Sequence, residues 1–197
     1  KTATIPPTPN VPIGGLGTTP AIAQGASFNI ITKNEPLIID FGVGINGYVT
    51  DMTRTFVIGK LPKELQKAYS FAKEIKDFTE QWITPGKPCS QLYKEVMELV
   101  KRRGYQDYFM GYKEQQVAFV GHGIGLEIDE YPVIAPSFHE EFQENMVFAL
   151  EPKLVFPDVG AVGVEDDYRV TKGGVERLTT YDDQVLTIDW PGRAAAP

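Results

Sequence analysis

The sequence predicts an α+β fold: a β-hairpin, then two helices, then a run of strands, in that order rather than alternating. Three observations carry this. Asn46-Gly47 sits between two apolar runs and is a strong hairpin signal. Apolar residues from Leu65 to Phe78 recur at helical spacing. From Gln116 onwards, short β-rich segments punctuated by glycine replace the helical period.

Residues 1–35, rich in Pro, Gly and Thr ("IPPTPNVPIGGLGTTP"), read as an irregular N-terminal segment without repeats. The hairpin follows, from about Leu37 to Ile58. A type I′ loop needs positive φ at both central residues, which Asn and Gly accept. Such a loop at Asn46-Gly47 pairs Ile45 with Tyr48, so paired positions sum to 93 and Asp40 lies opposite Thr53. Asp51 shares the face of Thr53. Asp40 and Asp51 are therefore diagonal neighbours on one side of the hairpin, roughly 7–8 Å apart by Cα. Two bare carboxylates about 5 Å apart repel by about 3 kcal/mol at an effective dielectric near ~20. A cation should sit between them. Arg54 is the nearest basic residue in sequence, but its parity puts it on the opposite face. A metal ion is the better candidate.

Pro62 then opens a helix at its favoured first position, with Leu65, Ala68, Tyr69, Ala72, Ile75 and Phe78 as one buried stripe. "TPGKPCS" breaks it. Ser90 is the expected cap of a second helix whose apolar face is Leu92, Val96, Leu99 and Val100, ending near Gly104. "QVAFVGHGIGLEI" reads as β around His122. "MVFALEPKLVF" and "AVGVEDDYRV", joined at "PDVG", form a second hairpin. Glu151 and Glu165 share one face of it only if paired positions sum to 316. A four-residue loop over 157–160 would throw them onto opposite faces. The expectation is a loop of three or five residues, or a β-bulge at Gly160 or Gly163. "TKGG" turns into a last strand, "VERLT". The main domain thus spans 36–190, and 191–197 read as a disordered tail.

The 197 residues suffice for one domain with a substantial core. A net charge of −7 argues against a nucleic-acid surface. No apolar run approaches membrane-spanning length, and no signal peptide is visible. The single cysteine, Cys89, excludes an internal disulfide and fits a reducing compartment, hence a cytoplasmic location. The first residue is Lys rather than Met, so the chain reads as a fragment or processed product.

Chemistry concentrates at a few positions. His122 sits between glycines in "GHGIG". A lone histidine is more often a satisfied structural residue than a ligand. Glu151 interrupts the apolar run "VFALEPKLVF", where an unpartnered carboxylate is costly. Glu165 begins "EDD", which alone is equally compatible with a solvated strand edge. Together with Asp40 and Asp51 they make one imidazole and four carboxylates. That oxygen-rich set suits Mn, Fe, Co or Zn better than Ca or Cu. Four carboxylates carry the charge that two divalent ions neutralise. Two ions about 3.5–4 Å apart can polarise a carbonyl and activate water.

"DFG…TDMTRTF", "GHGIGLEIDEYP", "LEP" and "VGVEDDYRVT", in that order, resemble the pita-bread metallopeptidases, which include methionine aminopeptidases, prolidases and Xaa-Pro aminopeptidases. The resemblance covers about residues 20 to 180 and is closest to the Xaa-Pro branch. It implies a curved antiparallel sheet with helices packed on one face. It implies two divalent metal ions (Mn, Co, Fe or Zn) held by Asp40, Asp51, His122, Glu151 and Glu165, with Asp51 and Glu165 bridging. It implies hydrolysis of a small peptide substrate of Xaa-Pro type. Glu151 and Asp129 are the catalytic candidates, and Gln24 and Asp129 the substrate-binding ones. A homodimer is compatible with this reading. The family's domain has further helical and strand sequence ahead of the equivalent of residue 1, in line with a chain that lacks the N-terminal part.

Three departures stand out. Asp129 occupies the place of a family histidine that contacts substrate and helps move protons. Gln24, in "AIAQG", replaces another family histidine. Gly163 stands where the proline-dipeptide branch often carries Arg. A carboxylate is a poorer proton carrier near neutral pH than an imidazole, and a glutamine carboxamide is none. These departures leave two other readings open: a metal-dependent, lyase-like reaction on the same cage, or a non-catalytic peptide-binding module. The retained five-residue ligand set argues against the second.

Overall fold

The computed structural model describes residues 13, 17, 18 and 25–189. Gln24, most of the 1–35 segment and the 191–197 tail lie outside the described residues. The element order is β1 (Pro36–Ile45), β2 (Tyr48–Ile58), α1 (Lys63–Trp82), α2 (Cys89–Arg103), β3 (Gly121–Gly123), β4 (Glu130–Val133), β5 (Val147–Leu150), β6 (Lys153–Phe156), β7 (Gly160–Gly163), β8 (Asp166–Thr171), β9 (Gly174–Arg177) and β10 (Leu186–Ile188). The class is α+β, as the hairpin–helices–strands order implies.

β1 and β2 form the first hairpin in the expected register, with Asp40 opposite Thr53. Asn46 and Gly47 both have positive φ (53° and 87°), as the type I′ loop requires. β10 adds to the other edge of β2 in parallel, a strand beyond the last one expected. The second hairpin is split. β5 pairs with β8 inside a five-stranded sheet of order β4-β3-β5-β8-β9, whereas β6 and β7 form a separate two-stranded ribbon. The break falls at Pro152, which has no N–H to give a ladder. Next to the residue that faces it, Val164, the Glu165 N–H turns away to the Thr53 carbonyl at 3.1 Å. Both halves nevertheless keep one register, in which Phe156 faces Gly160 and Leu150 faces Asp166. The loop between β6 and β7 is the three residues 157–159, so the odd-length expectation holds and no bulge is needed.

Both helices bury the expected stripes. Leu65, Ala68, Tyr69, Ala72 and Ile75 of α1 join Leu92, Val96, Leu99 and Val100 of α2 in one core; Phe78 packs at its edge. Burying each such side chain contributes about 1.5–3 kcal/mol. Two helix starts differ from expectation. Pro62 is the cap residue rather than the first helical one, with extended backbone (ψ 142°). Ser90 does not cap α2, which begins at Cys89. The free N–H groups of Cys89 and Ser90 instead donate to the carbonyls of Glu140 and Phe138, at 2.9 and 2.7 Å. A passing loop satisfies the donors that a side-chain cap would have served. α2 ends at Gly104 in the left-handed conformation (φ 76°). Among the described residues, no helix is long and apolar enough to cross a membrane.

Candidate metal centre

Two hairpins and one short strand build the site. β2 supplies Asp51 and Thr53 on one face, while Arg54 points to the other, as its parity dictates. Arg54 is buried there and donates to Asp166 at 2.6 Å and to the carbonyls of Thr53 and Glu165 at 2.9 and 2.7 Å. Asp166 also accepts from buried Lys76 of α1 at 3.0 Å. These ion pairs fix the back of β8 against β2 and α1. The triplet Glu165-Asp166-Asp167 alternates faces, so Glu165 and Asp167 look towards the site and Asp166 away from it.

β3 delivers His122. It lies between β4 and β5, and the backbones approach so closely that side chains on its flanking glycines would collide. A Cβ on Gly121 would meet the Ala149 carbonyl at 2.3 Å, and one on Gly123 the Tyr131 carbonyl at 2.5 Å. His122 Nδ1 lies 3.0 Å from the Gly123 carbonyl oxygen. A carbonyl can only accept, so Nδ1 carries a proton and Nε2 is aimed inward. Nε2 faces Glu151 Oε1 at 3.6 Å, Asp51 Oδ2 at 3.9 Å and Glu165 Oε1 at 4.0 Å.

The structure thus brings together Asp51, His122, Glu151 and Glu165. Glu165 is buried, not a solvated strand edge. Asp40 joins at the rim, half exposed. Asp129 sits outside, 67% exposed, with Oδ1 3.5 Å from His122 Nδ1 on the side away from the carboxylates.

Besides the metal ion expected between Asp40 and Asp51, the chain brings a cation of its own to this cluster. Lys153 already reaches into the cluster. Its buried ammonium lies 2.7 Å from Glu151 Oε2, 3.0 Å from Glu165 Oε2 and 3.1 Å from Asp40 Oδ2. Arg54 is the nearest basic residue to the first hairpin in sequence. Yet Lys153 has the parity of Glu151, and that signal was there to read.

Three further residues belong to the site. Thr53 donates to Glu165 Oε2 at 2.7 Å and aims that carboxylate. Thr55 ties β2 to β7, donating to the Gly163 carbonyl at 2.8 Å and accepting from its N–H at 3.2 Å. Asp167 accepts from the Asp51 N–H at 3.1 Å, while its other oxygen is buried without a partner. Thr53 and Asp167 follow from the parity of Asp51 and Glu165.

Crowding of acids sets the electrostatics. Burial, then Glu165 and Asp40, push the Asp51 carboxyl up to about 9. Burial lifts Glu151 to about 7, against the opposing pull of Lys153. Burial also raises Asp167 to about 7. Burial works against the Lys153 charge, but Glu151, Glu165 and Asp40 prevail and hold it well above the usual lysine range.

The donor set fits a divalent ion. One ligand atom each from Asp51, His122 and Glu165 lie within 4.8 Å of one another. Ligands about 2.0–2.2 Å from a shared ion span such separations with small adjustments.

Comparisons with known proteins follow the same lines. The profile of metallopeptidase family M24 matches residues 7–172. An Xaa-Pro dipeptidase of Pyrococcus furiosus is 32% identical over 161 residues, covering 82% of this chain and 44% of the relative. A solved prolidase from Pyrococcus furiosus superposes with a TM-score of 0.73 at 31% identity, over 83% of this chain and 46% of that one. An X-Pro aminopeptidase from Thermotoga maritima gives a TM-score of 0.73 at 27% identity, over 79% and 42%. The chain spans less than half the length of the relatives it matches, and within that span its fold is the pita-bread fold.

Proposed function

Because this chain belongs to metallopeptidase family M24, we propose that its acidic cage serves metal-dependent hydrolysis of peptide bonds of the Xaa-Pro type. One observation carries the reading: His122 Nε2 and the facing oxygens of Asp51, Glu151 and Glu165 converge within 4.0 Å of the imidazole nitrogen. The likeness to the Pyrococcus furiosus Xaa-Pro dipeptidase supports the substrate class.

Asp51, His122, Glu151 and Glu165 would hold a Mn, Co, Fe or Zn ion. Such an ion, when bound, polarises the scissile carbonyl and acidifies water. The protein does the rest. Thr53 and the Gly123 carbonyl fix the orientation of Glu165 and His122. The buried strand ends around Glu151 exclude bulk water. Glu151, buried in the cage with Oε1 facing His122 Nε2, is the group placed to take a proton from water and return it to the leaving amine. Asp129, beside His122 Nδ1 and exposed, is suited to meeting the substrate's charged or polar groups.

A panel of Xaa-Pro dipeptides and longer Xaa-Pro peptides tests this, assayed with Mn²⁺, Co²⁺ and Zn²⁺, and after EDTA. Cleavage before proline that EDTA abolishes and Mn²⁺ restores is the expected result. Cleavage unaffected by chelation would sink the metal reading. Metal binding with no peptide cleavage would favour a lyase-like reaction instead, in line with Asp129 standing where the family has a histidine.

A further inference from the structure

The cage contains two compartments, and one is filled by the protein itself. Glu151 and Glu165 each divide their two oxygens between them. Their Oε1 atoms face His122 Nε2, at 3.6 and 4.0 Å, with Asp51 Oδ2 completing that side at 3.9 Å. Their Oε2 atoms face the Lys153 ammonium, at 2.7 and 3.0 Å, with Asp40 Oδ2 completing that side at 3.1 Å. An ammonium has three N–H donors, and here each has one carboxylate oxygen. The lysine is saturated, buried and held by charge on every side.

A second feature shows that this is built in. Lys153 pairs directly with Gly163 across the β6–β7 ribbon. A Cβ on Gly163 would lie 2.5 Å from Lys153 Cγ and 3.2 Å from its Cβ. The bare glycine therefore makes the room through which the lysine stem passes into the cage. The backbone of Lys153 is also pinned, since its carbonyl accepts from the Met110 N–H at 2.8 Å.

We propose that this centre binds one divalent cation, on His122 Nε2, Asp51 and the Oε1 atoms of Glu151 and Glu165, and that the Lys153 ammonium takes the place of a second. The proposal rests on the metal-dependent reading above and revises the ion count that the family resemblance implies. A divalent ion on the Asp40 side would have to displace a hydrogen-bonded ammonium from three carboxylates or sit in contact with it, and like charges so close repel strongly.

The test is metal stoichiometry, not activity. The chain is stripped with chelator, dialysed against Mn²⁺ at rising concentration, and analysed for bound metal and by electron paramagnetic resonance. Wild type should saturate at one Mn²⁺ per chain with the spectrum of an isolated ion. Lys153→Ala, which empties the compartment, should take up a second ion and show a spin-coupled pair. Lys153→Met keeps the bulk of the stem without the charge and guards against a folding defect in the alanine variant. It should bind one ion, with weaker ordering of Asp40. Two coupled ions in wild type would overturn the proposal while leaving the metal reading intact. No bound metal in a folded wild-type chain would overturn both. A folded Lys153→Ala chain that still stops at one ion would show that the lysine does not decide the count.

Discussion

His122, Asp51 and Asp129 show how differently three polar residues in one neighbourhood are placed. Asp51 is nearly buried and faces Nε2 at 3.9 Å. Asp129 is mostly exposed and lies by the outer nitrogen of the ring. If a divalent ion sits on the Nε2 side, Asp51→Ala removes a direct ligand and leaves neighbouring acids uncompensated. Bound Mn²⁺, measured by elemental analysis after gel filtration, should fall at least about 10-fold in Asp51→Ala. It should change by less than about 3-fold in Asp129→Ala. Equal occupancy in wild type and Asp51→Ala would refute the ligand role. That these acids converge was legible because acids in apolar strands need a reason. Asp40, Asp51, Glu151 and Glu165 all interrupt or end β-rich runs. Lys153 is less legible, because a lysine in a strand is usually a solvated residue; its parity with Glu151 puts it on the face of the site, and its register with Gly163 shows where the stem passes.

At the level of elements, parity did the work. Asn46-Gly47 fixed the first register, and the demand that Glu151 and Glu165 share a face fixed the second. The three-residue loop 157–159 satisfies that demand. The split at Pro152 and the helix start at Cys89 were not legible, because a tertiary partner decides each. The Thr53 carbonyl captures the Glu165 N–H, and the loop carbonyls of Phe138 and Glu140 cap α2. β10 pairs with β2 through only three residues, too few for a pattern to announce. Gly160 is the residue on which the second register turns. Its φ of 136° is poorly accessible to other residues, and a Cβ there would lie 2.4 Å from Pro36 Cγ. Gly160→Ala should destabilise the chain by about 1–3 kcal/mol in urea unfolding. A loss below about 0.5 kcal/mol would mean that the loop relaxes freely and does not hold the register.

For the whole molecule, the cage is a liability that cations relieve. Asp51, Glu151 and Asp167 have folded-state carboxyl values raised to about 9, 7 and 7. The folded chain therefore binds more protons than the unfolded one between about pH 4 and 9, and its stability falls as pH rises through that window. Asp183 acts in the opposite sense. Partial burial raises its carboxyl, but Lys76 and Lys73 outweigh this and hold it below the usual range. Its contribution is present above about pH 4 and disappears as pH falls below that. In EDTA the melting temperature should accordingly be highest somewhat above pH 4 and decline towards pH 9. Saturating Mn²⁺ should flatten the decline, because a cation favours the ionised acids. A melting temperature in EDTA that rises from pH 5 to 8.5 would show that these acids are not buried as described.

The place of Lys153 within its own hairpin bears on the order of assembly. Asp40 and Asp51 lie on one local hairpin, Glu151 and Glu165 on another about a hundred residues later. Each can form early from nearby contacts, but docking them brings four like charges together. The second hairpin carries its own counter-charge, so the encounter need not wait for an ion. Folding and metal loading become separable steps, and a chain made where metal is scarce can reach its native state and be charged afterwards. Refolding from urea in EDTA should thus proceed to completion for wild type, at a rate changed less than about 3-fold by Mn²⁺. Lys153→Met, deprived of the internal ammonium, should refold slowly in EDTA and recover speed with Mn²⁺ or with added salt, which screens the repulsion.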